Sequence, residues 1–71
     1  MTVRYLGYTF TEVTARRGDV SEPGILLQRR GRPDMVGFGL PLPRSRDEAV
    51  DVGEHAFWFP AGDYDEIIPV D

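Results

Sequence analysis

The chain contains no cysteine, no lysine and no asparagine, and it has one histidine and two serines among 71 residues. Without cysteine there is no disulfide framework, no thiolate metal centre and no thiol nucleophile. His55, Ser21 and Ser45 are the only residues from which a serine–histidine site would be drawn, and Ser45 has a structural role described below. No apolar run approaches the roughly 20 residues of a membrane-spanning helix, and Met1–Tyr5 lacks the apolar stretch of an export signal. A cytoplasmic protein with no membrane association is expected. Lysine and asparagine codons are A/T-rich, so their absence points to a GC-rich bacterial or phage genome. Every cation is therefore arginine, a permanently charged planar fork suited to carboxylate or phosphate.

The charge that is present is partitioned along the chain. Eight arginines and four carboxylates up to Arg46 give +4, whereas eight carboxylates and no base from Asp47 onward give −8. Such a split speaks to partners and solubility rather than to fold. At 71 residues the chain reads as one small β-rich domain, residues 1–71. A domain of this size buries only about 60% of its unfolded surface, which makes burial against a partner or a second copy a natural supplement.

Residues 3–13 alternate Leu6, Tyr8 and Phe10 with Gly7, Thr9 and Thr11, which predicts a half-buried strand bulged or bent at Gly7. Residues 14–24, with Gly18-Asp19 and Glu22-Pro23-Gly24, predict a loop. Residues 25–30 and 35–40 flank Gly31-Arg32-Pro33-Asp34 and predict a hairpin, stopped by Pro41 and Pro43. In the second of these strands Val36, Phe38 and Leu40 share a face, leaving Gly37 and Gly39 bare for Trp58 to cover. Ser45-Arg46-Asp47-Glu48 is a capping box opening a helix over about residues 46–52, with Gly53 as its stop. Residues 55–59 and 64–70 predict a closing hairpin around Pro60-Ala61-Gly62-Asp63. The expected fold class is α+β: a small antiparallel sheet or barrel of about five strands with one short helix.

Few groupings suggest chemistry. Asp47, Asp51, Glu54 and His55 cluster near the helix but match neither His-Glu-x-x-His nor a calcium loop, so no metal and no cofactor are expected. Gly37-Phe38-Gly39 lacks the helix and the lysine of a phosphate loop, and Arg17-Gly18-Asp19 reads as a turn. Two surfaces remain. Asp47, Asp51 and Glu54 follow i, i+4, i+7 spacing, an acidic stripe whose like charges oppose a short helix and so call for a basic counterpart. Asp63, Asp65 and Glu66 extend the acidic set, and Trp58 supplies an aromatic anchor. Against these stand Arg16, Arg17, Arg29, Arg30 and Arg32, which suit phosphates.

The favoured reading is a non-enzymatic protein-binding module whose acidic C-terminal face, built from Asp47, Asp51, Glu54, Trp58, Asp63, Asp65 and Glu66, docks on a basic surface of a partner protein. In size, acidity, coding bias and lack of catalytic groups the chain resembles phage-encoded inhibitors of the anti-CRISPR or antirestriction class. No single motif carries this likeness. The alternative is a small barrel binding nucleic acid through its five arginines. A third reading is a structural subunit that homodimerises through Trp58.

Overall fold

The computed structural model describes residues 1–70. Its centre is a long hairpin: β2 (Tyr8–Arg17) and β3 (Val20–Arg29) pair antiparallel over ten residues, from Tyr8↔Arg29 to Arg17↔Val20. The turn between them is Gly18-Asp19, with Gly18 at φ 62°, a conformation open to glycine. The expected loop over 14–24 is thus the distal half of this hairpin. Pro23 is tolerated in the strand because β4 joins β3 only over residues 25–27, so Pro23 lies where β3 has one neighbour and a missing N–H can face solvent.

β1 (Thr2–Tyr5) precedes β2 and pairs with its first four residues. Gly7 is not a bulge inside one strand. Leu6 (φ 48°) and Gly7 (φ 83°) form a tight turn that divides residues 2–17 into two strands. Both residues have positive φ, as a type I′ turn requires, and Leu6 accepts a backbone region that bulky side chains rarely enter.

β4 (Met35–Gly37) pairs with β3 through Leu27↔Met35, Leu26↔Val36 and Ile25↔Gly37. The predicted hairpin around residues 31–34 is present, with its second strand ending at Gly37. Gly39 then turns the chain at φ 71°. Phe38 swings to the opposite face from Leu40: its ring closes over Gly24, while Leu40 packs beside Gly37.

α1 (Arg46–His55) opens as the capping box predicts. Ser45 Oγ accepts from Glu48 N at 3.1 Å, and the Glu48 carboxylate accepts from Arg44 N at 2.7 Å. The helix does not stop at Gly53. That residue lies buried inside it, beneath the Tyr8 ring, and the helix closes at Ala56.

The expected closing hairpin does not form either. β5 (Phe59–Pro60) adds to β4, whereas β6 (Glu66–Pro69) adds to β2 over residues 13–16. Between them a 3-10 turn (Ala61–Asp63) and Tyr64 cross one sheet face, anchored by Ala61 N to Asp34 O (3.0 Å) and Asp65 N to Arg16 O (2.9 Å). Pairing β5 with β6 would have left Val13, Ala15 and Val36 uncovered; the crossover lays Tyr64 and Ile67 over them.

The outcome is an antiparallel six-stranded sheet with one helix, ordered β1-β2-β3-β4-β5, with β6 beside β1 along one edge of β2. Strand alternation divides its core between the faces. Phe10, Ile25 and Leu27 face Ala49 of α1 on one side; Val13, Ala15 and Val36 lie on the other under Phe38, Tyr64 and Ile67. None of the described helices is long and apolar enough to cross a membrane.

Candidate functional site

The inward stripe of α1 and its C-cap is Ala49, Val52, Gly53 and Ala56, at i, i+3, i+4, i+7 spacing, and these residues are buried or half-buried. At 3.6 residues per turn, Asp47, Asp51 and Glu54 fall on the opposite side, and all three are exposed. Because the helix continues to His55, the predicted acidic stripe is fully helical.

Its members are not equivalent. Glu54 Oε2 accepts from Tyr8 Oη at 2.5 Å, Arg29 Nη1 at 3.3 Å and Arg32 Nη1 at 3.4 Å. Arg29 Nη1 also donates to Gly53 O at 3.2 Å. The Tyr8 hydroxyl holds the Glu54 carboxyl below its ordinary range, opposed by desolvation and helped by Arg32 and Arg29. Reciprocally, the bond to Glu54, then burial and the nearby carboxylate charge, push the Tyr8 hydroxyl up. Glu54 therefore fastens the end of α1 to the sheet. Asp47 and Asp51 make no ion pair among the described residues.

The second acidic group lies elsewhere. Arg16 contacts Asp65 at 3.5 Å and Glu66 at 3.1 Å, and Asp65 also accepts from Gly18 N at 2.7 Å. This cluster ties β6 to the Gly18 turn. From Tyr8 to Arg16 along β2 is about 26 Å at ~3.3 Å per residue, so Asp65 and Glu66 do not extend the helical surface as expected. The same distance divides the five arginines: Arg16 and Arg17 sit at the distal turn, Arg29, Arg30 and Arg32 at the proximal end. Asp63, in the 3-10 turn, is exposed and makes no ion pair among the described residues.

Comparison with protein-family models, with curated proteins and with solved structures finds no match. The site must therefore be read from its own geometry.

Trp58 is not the surface anchor that the charge pattern suggested. Its Nε1 donates to Val52 O at 2.9 Å, its ring lies 6.2 Å from that of Phe10, and a Cβ on Gly37 would meet it at 2.9 Å. Trp58 does cover Gly37, as expected, but nothing lies over Gly39. With Trp58 turned inward, its neighbours are left outside: Phe57 is 88% exposed and Phe59 47%. The sequence reading overlooked Phe57, although the alternation Phe57-Trp58-Phe59 carries the signal, since burying the middle ring puts the flanking two on the surface.

Ser45 and His55 lie at opposite ends of α1, about 15 Å apart by helical rise, so they do not form a nucleophile–base pair. Among the described residues no three His, Asp or Glu side chains gather closely enough to hold a metal ion.

Proposed function

We propose that this protein is a non-catalytic binding module acting in the cytoplasm. The outer face of α1 (Asp47, Val50 and Asp51), together with Phe57, docks on a basic surface of a partner protein. The observation that carries this reading is Phe57, 88% exposed just past the end of α1, a helix whose outer Asp47 and Asp51 are not consumed by the fold. Burying a phenylalanine is worth about 1.5–3 kcal/mol, and interface energy concentrates in such central apolar anchors. The carboxylates on the outer face of α1 add encounter rate and selectivity for a cationic partner. Surfaces that hold nucleic acid are cationic in this way, which favours inhibition of a nucleic-acid-binding complex, as in the anti-CRISPR or antirestriction class.

Parallel capture from a GC-rich bacterial lysate tests the proposal, using immobilised wild type, Phe57→Ala and Asp47→Lys/Asp51→Lys. A protein retained by the wild type, eluted by salt and lost from both variants supports docking through this face. Equal retention by all three, or recovery of nucleic acid alone, overturns it.

A further inference from the structure

The proximal end of the β2–β3 hairpin carries a feature that the docking face does not use. The Leu6-Gly7 turn and the segment after β3 enclose an open notch of about 650 Å³, lined by Leu6, Gly7, Tyr8, Arg29, Arg30 and Arg32. Every charged side chain in that lining is an arginine. Among the described residues Glu54 is the one carboxylate bound to them, leaving a local surplus of two positive charges. Arg29 is held in place, its side chain 15% exposed and its Nη1 bonded to Gly53 O and Glu54. Arg30 is exposed and makes no hydrogen bond or ion pair among the described residues. Gly7 and Gly31, both at positive φ, have nothing near the position of a Cβ, so the turns leave room for a bulky tetrahedral group.

We infer that this notch binds phosphoryl groups, with Arg30 and Arg32 as the contacting forks and Arg29 as their fixed neighbour. Guanidinium suits this ligand because its planar donors match two phosphate oxygens at once. The negative charge of the whole chain does not forbid it. Asp65 and Glu66 lie at the far end of the hairpin, beyond the ~10 Å screening length at 0.1 M salt. On the other side of Leu6, Arg46 and Asp47 offset one another. Tyr8 adds no base-stacking platform, since its ring packs on Gly53 and its hydroxyl is bound to Glu54, so recognition rests on phosphate.

A nucleic-acid backbone and a small phosphorylated molecule offer the same phosphate chemistry, and two probes distinguish these sources. In ¹⁵N-labelled protein at low ionic strength, inorganic pyrophosphate and a short oligothymidylate are titrated separately. Amides of Gly7 and Gly31 and the Nε–H groups of Arg30 and Arg32 are expected to shift. Arg30→Ala should weaken binding several-fold, while the distal Arg17→Ala leaves it unchanged. Tighter binding of the oligonucleotide, with a log–log salt slope near −2 for about three phosphate contacts, assigns the notch to a nucleic-acid backbone. Pyrophosphate binding with no advantage for the oligonucleotide assigns it to a small phosphorylated ligand. If neither probe moves these resonances, or if Arg17→Ala weakens binding as much as Arg30→Ala, the inference fails.

Discussion

Replacing Gly53 with alanine sets two effects of opposite sign against each other. In an exposed helix interior alanine is favoured over glycine by about 0.8–1 kcal/mol. Here the new methyl group would stand 2.6 Å from Tyr8 Cδ2 and closer still to Cε2. The ring cannot easily withdraw. It stacks 6.1 Å from Phe10, and its hydroxyl is bound to Glu54. Overpacking of this kind typically costs about 1–3 kcal/mol, and displacing Tyr8 would also weaken a hydrogen bond to a charged group, worth about 1.5–3 kcal/mol. The steric cost wins. Net destabilisation of about 1–2 kcal/mol is expected, or a fall of roughly 5–15 °C in Tm for a domain of this size. Urea unfolding followed by Trp58 fluorescence measures it. A double-mutant cycle isolates the cause: in a Tyr8→Ala background the clash is gone, and Gly53→Ala should become stabilising by close to its propensity. If Gly53→Ala stabilises the protein with Tyr8 intact, the packing of α1 on Tyr8 is wrong.

Three further outcomes are expected. Glu54 has a depressed pKa in the folded state, so its contribution is present above its ordinary value of 4.5 and is lost as pH falls through the lower folded value; Glu54→Gln should lower stability at neutral pH and flatten that acid limb of the urea midpoint. Tyr8 has a raised pKa, so its contribution is present below 10.0 and fades as pH rises through the folded value; Tyr8→Phe should flatten the alkaline limb in the same assay. His55→Gln should leave any biological activity within a few-fold, because loss of a general base would cost about 10²–10⁴-fold.

What was legible in the sequence was local. Ser45 and Glu48 find partners within four residues, and the hairpin around Gly31–Asp34 closes on its own turn. Trp58 over Gly37 was also readable, because a bare strand glycine invites a ring. The errors arose where a distant segment decided the conformation. Residues 14–24 have weak strand character by themselves, but cross-strand pairing through ten positions overrides it. Gly53 signals a helix stop until Tyr8, 45 positions earlier, fills the space above it. The closing strands looked like a hairpin because they are neighbours in sequence, yet the edges of β2 and β4 offered them ladders that also covered Val13 and Val36.

The same distinction decides which charges remain available for function. Spacing alone put Asp47, Asp51 and Glu54 on one stripe, and composition alone put five arginines in one set. The long hairpin breaks both groupings. It brings Arg29 and Arg32 beneath the end of α1, where Glu54 meets them, and brings Arg16 beside Asp65 and Glu66, where β6 joins the sheet. Glu54 and Arg29 consequently carry the register between helix and sheet, and changing either confounds a binding assay with loss of structure. Asp47, Asp51, Phe57 and Arg30 form no ion pair or side-chain hydrogen bond among the described residues, and truncating them should cost the fold little, since such surface changes usually stay within about 0.5 kcal/mol. A residue that the fold does not need, yet whose loss abolishes association, reports on a partner rather than on stability. The docking face and the arginine notch can therefore be tested independently, on opposite charges and in a protein that remains folded.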